Sequence, residues 1–311
     1  MTTGPLVITG ANGNLGRRLL AVLAVAGPVR ALVRSREAAA RLQAQSVPDA
    51  AQAPEITVVD YLAADAMTEA LAGAKAVVHL VGIIKEPRAG AYYQAHEATA
   101  QVLAEAASLA GAQRIIYLSI LGAHAGAANR CLASKGEAER ILLESGVPTS
   151  VLRVPMVLGE GDYASAALAN RARRRLSFTF RGASLEQPIY AGDVIQAIVR
   201  LLAETPASTR VVDLAGPECL SRSALTRRAA AAMGRSTRVI SLPLGLGMAL
   251  AWVLQRLASP PPVTPDMLGV LDHDDAIDPM PAVRDLGMSL TNLEEMLTHC
   301  LTASEAAGYP T

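Results

Sequence analysis

The sequence is poor in aromatic residues: Phe, Trp and Tyr make up 3% of its 311 residues, with two Phe and one Trp. A protein that grips single-stranded nucleic acid needs ring faces on which bases stack, so that class is set aside. Net charge of one sign is also missing. Lys plus Arg and Asp plus Glu each total 28, and no global field draws the chain to nucleic acid or to an acidic partner. Cysteine is scarce, and its three positions, Cys131, Cys219 and Cys300, lie far apart. An odd, scattered set in a chain of this length argues against a disulfide framework and for a reducing compartment, with the cytoplasm as the expected location.

Long apolar runs are lacking too. The opening MTTGPLVITG has no basic segment ahead of an apolar one, so no signal peptide is read there. The charge-free stretch Val239 to Gln255 is shorter than the roughly 20 residues of a spanning helix. Pro243, Gly245 and Gly247 interrupt its first half. A buried helix is expected; the alternative is a surface that meets lipid or an apolar partner, peripheral to the inner face of a membrane.

What is present is apolar residues at 51% against 18% charged, enough for a sizeable core. PLVIT (5–9), VRALV (29–33), EITVV (55–59), AVVHLVG (76–82) and RIIYLS (114–119) read as strands, separated by helical patterns such as NLGRRLLAVLAVAG and the long Ala-rich AYYQAHEATAQVLAEAASLAG. Near-continuous apolar strands alternating with helices predict a doubly wound parallel α/β sheet covered on both faces. The helix SKGEAERILLESG then leads to TSVLRVPMVLG. Residues 1–158, with 188–214 returning to them, are expected to form this domain, and 159–187 with 215–311 a smaller, mostly helical cap.

The strongest chemical signal is TGANGNLG, with Gly10, Gly13 and Gly16 between the first strand and the first helix. Glycines allow a tight turn and a close approach of backbone to a pyrophosphate, whose charge is received by free N–H groups and the helix dipole. Asn12, Asn14 and Leu15 complete the loop. At the end of the second strand, where a carboxylate would bind the ribose of NAD, stands Arg34, with Arg36 and Arg17 near. Guanidinium groups favour the extra phosphate of NADP(H) over NAD(H). Asp60, closing the third strand, is a candidate for the adenine amino group and equally a turn former.

These features, with VVHLVG, Ser119, the helical Lys135, LRVPMVLG and PIYAGDV, resemble the extended and atypical short-chain dehydrogenase/reductases. VVHLVGIIKE, YLSILGAHA, SKGEAER, LRVPMVLGEGD and PPVTPDMLGVLDHDD are most similar to one epimerase-like branch, the dehydrogenase-fold accessory subunit of respiratory complex I with its stand-alone bacterial relatives. The resemblance implies that Tyr61 beside Asp60, the segment Leu80, Val81 and Gly82, Lys135 and Pro155 join the glycine loop in holding the dinucleotide. It also implies Ser119 orienting a carbonyl and Lys135 working with a Tyr one helical turn earlier. That place holds Cys131. A thiol is acidic enough but too short to reach the substrate as a phenol does, so the usual proton relay is not expected. A nucleophilic Cys131 is the less favoured role beside a small buried residue. Of the tyrosines that could substitute, Tyr163 is preferred to Tyr117.

Two functions follow from the resemblance. The first is an NADP(H)-binding protein with a degenerate Tyr-Lys pair, its dinucleotide structural or sensory, next to quinone or respiratory-chain function. The second is an active NADPH-dependent reductase of a hydrophobic carbonyl or quinone. Outside this site, Arg171, Arg173, Arg174, Arg175 and Arg181 crowd one basic segment, a solvated helix face or a receiver of anionic headgroups. HDDAIDP, from His273 to Pro279, has ligand-type residues without metal spacing, so no metal is expected. His79 and His96 read as core or cofactor-wall residues.

Overall fold

The computed structural model describes residues 4–44, 53–205, 209–257, 269 and 274–306; His273 lies outside them. The chain forms two compact units: residues 1–83, 89–153 and 197–212 in the first, and 84–88, 154–196 and 213–311 in the second.

The first unit is built on a seven-stranded sheet in the order β11 (Arg210–Asp213), β6 (Thr149–Val154), β5 (Ile115–Ile120), β4 (Ala76–His79), β1 (Leu6–Thr9), β2 (Val29–Val33), β3 (Glu55–Val58). The pairs from β5 to β3 run parallel. From β1 the chain winds outward through β2 and β3, then returns to start again at β4 on the other side. The strand order therefore reverses between β1 and β4, the place where open α/β sheets leave a crevice at their carboxyl ends. The expected doubly wound sheet is what the chain forms.

Its helices are α1 (Asn14–Ala26), α2 (Arg36–Gln43), α3 (Ala64–Ala70), α4 (Thr99–Leu109) and α5 (Arg130–Leu143). Helix α1 buries Leu19, Leu20 and Leu23 and ends where the Gly27 N–H reaches the Leu23 carbonyl. The shortage of aromatics is met by alanine. Ala100, Ala104 and Ala107 of α4 and Ala138 of α5 are buried in one cluster with Leu103, Leu142, Val77 and Ile115. Small side chains let these helices pack closely, and each buried Leu or Ile contributes about 1.5–3 kcal/mol.

Two local features differ from the periodicity. The long Ala-rich helix contains a π-helical segment at Tyr93–Ala98, which turns the buried His96 toward the backbone of Ile83. Helix α5 starts at Arg130, four residues before the expected Ser134, because Asn129 caps it by accepting from Cys131 N and Leu132 N.

The second unit is made of helices and short strands. Its strands β7 (Val157–Leu158), β8 (Leu176–Phe180), β9 (Leu185–Glu186), β10 (Ile189–Tyr190), β12 (Leu220–Ser221) and β13 (Arg238–Leu242) pair two by two. The helices are α6 (Tyr163–Ala172), α8 (Arg222–Ala232), α9 (Leu244–Leu257), α10 (Met280–Leu286) and α11 (Leu293–Ala306). Helix α7 (Ala191–Ala203) carries the chain back to the first unit. Leu168, Ala169, Leu225, Ala229, Met296 and Leu297 form the core between α6, α8 and α11.

The charge-free stretch is not one buried helix. It divides at Pro243 into β13, which pairs with β8, and α9. Among the described residues no helix is long and apolar enough to cross a membrane. The basic segment is likewise not one helix face. Arg171 closes α6, Arg173 to Arg175 form the following turn, and Arg181 lies beyond β8.

Candidate functional site

The site begins with the turn after β1. Gly10 adopts φ +71°, a left-handed conformation open to glycine, and a Cβ there would press on the carbonyl of Leu80 at 3.3 Å. A Cβ on Gly16 would overlap the Gly10 carbonyl oxygen and stand 2.8 Å from Ala11 Cα, so α1 can seat on the turn with glycine alone. Gly13 precedes α1, whose first turn carries no side-chain cap and no acidic residue. A 13-residue helix thus presents an uncapped N-terminus at the exposed loop of Asn12, Gly13 and the half-buried Asn14 and Leu15, an arrangement that receives an anion.

Tyr61 has a part the motif does not announce. Its phenol oxygen accepts from Gly10 N at 2.9 Å and donates to the Leu32 carbonyl at 2.6 Å, bracing the glycine turn from beneath. Burial pushes its pKa up to about 12, so it remains a neutral donor and acceptor. Asp60 is exposed and accepts from Leu62 N at 3.0 Å, which makes it a turn former.

Arg34 follows the last residue of β2 and is exposed, and Ser35 caps α2 through Ala38 N. No ion pair joins Arg34 or Arg17 to a carboxylate among the described residues. Arg17, half-buried in the first turn of α1, has its Nε buried without a hydrogen-bond partner. A buried guanidinium nitrogen with nothing to donate to is costly, and an anion at the neighbouring helix terminus would satisfy it. The residues present therefore fit a dinucleotide.

Around the carboxyl ends of β4 and β5 lies a second, buried group. Leu80 N donates to the Thr9 carbonyl at 3.2 Å, which holds the Leu80, Val81 and Gly82 segment against the turn. Gly82 lies beside Lys135: a Cβ there would stand 3.2 Å from Nζ and 3.5 Å from His96 Nε2. From α5, Lys135 Nζ donates to Tyr117 Oη at 3.0 Å and to the Leu118 carbonyl at 2.8 Å. Ser119, 1% exposed on β5, has its hydroxyl buried without a partner among the described residues, and so have His79 Nε2 and His96 Nδ1. Thr9 and His79 share a 2.7 Å hydrogen bond.

Burial sets the charges here. It pulls Lys135 down to about 8, opposed by Cys131 and Glu139. It pushes Tyr117 well above its usual value, with Glu139 and Cys131 adding. His79 falls to about 3 through burial, Lys135 and His96; His96 falls to about 3 through burial and Lys135. Both imidazoles are neutral across physiological pH and are feeble bases.

Cys131 is 1% exposed, with its sulfur 3.7 Å from the Ile83 carbonyl. The two tyrosines weighed as substitutes stand in different surroundings. Tyr163, the preferred substitute, is 80% exposed at the start of α6, whereas Tyr117 meets Lys135. Tyr117 lies two residues before Ser119 on the same face of one strand. Pro155 stands between β6 and β7, in the second unit. Asp274 accepts from Ser184 Oγ at 2.7 Å and Leu185 N at 3.0 Å.

A profile of the NAD(P)H-binding family matches residues 10–204. Over 98% of this chain and 96% of the other, the sequence is 29% identical to the ceramide reductase of Caulobacter vibrioides. Over 79% of this chain and 61% of the other, it is 26% identical to subunit 9 of the NADH dehydrogenase [ubiquinone] 1 alpha subcomplex, mitochondrial, of Arabidopsis thaliana. The fold is similar to that of the NADPH-dependent quinone oxidoreductase from Escherichia coli solved with NADPH, with a TM-score of 0.73 and 21% identity over 94% of this chain and 99% of that one.

Proposed function

The chain belongs to the NAD(P)H-binding family, and from that premise we propose that it is an NADPH-dependent reductase of an apolar carbonyl or quinone. The observation that carries this reading is the Ser119 hydroxyl, buried at the carboxyl end of β5 with no partner among the described residues. A hydroxyl left so costs about 1–3 kcal/mol, and a ligand oxygen would relieve it.

When bound, the reduced nucleotide supplies hydride to the substrate carbon. Ser119 donates to the oxygen on which charge develops, a contact of the kind whose removal lowers turnover about 10²–10³-fold. Lys135, held by Tyr117 and Leu118, keeps a positive charge near that oxygen below pH about 8. Cys131 points at a backbone carbonyl, so one proton per hydride comes from solvent. Arg17, whose Nε has no partner among the described residues, and the exposed Arg34 support NADP(H) over NAD(H). Similarity to a reductase along nearly the whole chain, and to an NADPH-dependent quinone oxidoreductase, supports reduction of an apolar substrate.

A second reading, a nucleotide held as a structural or sensory group, is favoured by the same lysine. Its donors are directed to Tyr117 and Leu118, and the tyrosine place is filled by a buried cysteine. Similarity to the Arabidopsis subunit supports a respiratory assembly as the setting for that role.

The deciding experiment is purification without added cofactor, quantitation of nucleotide released by denaturation, and a test of NADPH oxidation with quinones and long-chain ketones. Exchangeable NADPH and oxidation that fails in Ser119→Ala bear out the reductase. Near-stoichiometric NADPH that neither exchanges nor oxidises establishes the second reading instead.

A further inference from the structure

Strand β8, LSFTF, wears its side chains the wrong way round for a water-facing sheet. Ser177 and Thr179 are buried, at 2% and 6% exposure, while Leu176 and Phe178 stand out at 44% and 53%. The inversion is not rescued on the inner side, since the Ser177 hydroxyl has no hydrogen-bond partner among the described residues. A strand slipped by one residue would bury the apolar set and wet the hydroxyls, whereas the observed register leaves Leu176 and Phe178 uncovered among the described residues.

The neighbouring strand extends the face. In the parallel pairing Phe178 lies beside Ile240 and Phe180 beside Leu242, with Leu176 beside Arg238. Helix α9 meets this surface at its Phe180 end, where a Cβ on Gly247 would press on the Phe180 ring at 2.9 Å. The opposite end is basic: Arg174 and Arg175 are exposed in the turn before β8, and Arg238 is exposed at the start of β13. No ion pair links these three to a carboxylate among the described residues. In a chain of zero formal net charge they are a local concentration and not an overall bias.

We propose that the outer face of β8 and β13 docks on an anionic lipid bilayer, Leu176 and Phe178 entering the interface and Arg174, Arg175 and Arg238 meeting lipid phosphates. Charge decides for a bilayer. Exposed apolar residues beside unpaired arginines match acyl chains beside anionic headgroups in a single surface. The inference stands apart from the proposed reduction, because membrane binding is read without turnover.

The test is co-sedimentation of the full chain with phosphatidylcholine vesicles, with and without phosphatidylglycerol, at low and high salt. Binding should require the anionic lipid and weaken with salt. The double variant Arg174→Glu, Arg175→Glu should bind at least about thirtyfold more weakly, from the contribution of each arginine near such a surface. Phe178→Ser should also release the protein, with its melting temperature unchanged or raised because the residue is exposed. In a Trp252→Phe background, which removes the one native tryptophan, Phe178→Trp should shift to the blue on anionic vesicles and be quenched by brominated acyl chains. Absence of binding, equal binding to neutral vesicles, or unaltered emission of Phe178→Trp would overturn the proposal. A dimer in sedimentation that Phe178→Ser dissociates would assign the face to a second copy of the chain and overturn it equally.

Discussion

Lys135 and Tyr117 form a buried pair, Nζ 3.0 Å from Oη and 4.4 Å from the ring centroid. A tyrosine and a lysine therefore do meet in this fold, but the tyrosine comes from strand β5 and not from the helix turn before the lysine. Tyr117 is fully buried and stacks on His79 at 5.5 Å. It positions the ammonium and does not itself reach the surface.

Substituting Tyr117→Phe removes the acceptor and keeps the ring. The cation loses a hydrogen bond while still buried, so the fold should lose about 1–3 kcal/mol. Lys135, already at about 8, should then release its proton at still lower pH. The check is a thermal melt together with the pH profile of NADPH oxidation or binding, whose basic limb should move to lower pH. A variant that melts lower but keeps its profile would reduce Tyr117 to a packing residue.

The glycine turn rests on Tyr61. Tyr61→Phe strands the Gly10 N–H and removes a donor from the Leu32 carbonyl, costing about 1–3 kcal/mol and weakening nucleotide affinity through the turn. Gly16→Ala acts on the same turn more severely, because its Cβ meets backbone that cannot swing aside. Released nucleotide should fall in the order wild type, Tyr61→Phe, Gly16→Ala. Tyr61→Phe with full affinity and a full melting temperature would show that the brace is idle.

The doubly wound sheet and the glycine turn were legible because they are written in local terms: apolar strands, helical spacing, and glycines where backbone must approach backbone. Ser119 and Lys135 were named by resemblance, and the fold buries both. What could not be read depends on three-dimensional neighbours. Tyr61 serves as a brace because Gly10, in the turn after β1, and Leu32, on β2, converge on it. The π-helical turn at His96 follows from a bond to Ile83, thirteen residues away. The charge-free stretch was misread as one helix because Val239 and Ile240 prefer a strand once β8 offers them a partner.

Ser119 and Cys131 separate the roles at the tyrosine's place. If the proton comes from solvent, Cys131→Ala should retain NADPH oxidation within about threefold, since the thiol is buried against the Ile83 carbonyl. Ser119→Ala should lower the rate about 10²–10³-fold while retaining nucleotide. Rates for both variants, with released nucleotide as the control, decide it. Equal loss in the two would put the thiol in the reaction.

Stability in the second unit should depend on pH through Asp275. Its N–H donates to the Leu185 carbonyl at 3.1 Å, and its carboxyl lies near Glu186, which is held by Arg222 at 2.6 Å. Burial first, then Glu186 and Asp274, against the opposing Arg222, raise Asp275 from 3.8 to about 7. Between those values the folded chain keeps a proton that the unfolded chain has released. The stabilisation is therefore complete below pH about 3.8 and is lost as pH rises through about 7. Asp275→Asn mimics the protonated form at every pH. Its melting temperature should match the wild type at pH about 4 and exceed it above pH about 7, by an amount that grows across the interval. The measurement is the difference between the two melting temperatures as a function of pH, in which other titrating groups cancel. A difference independent of pH would mean that Asp275 ionises in the folded state as it does in the unfolded one.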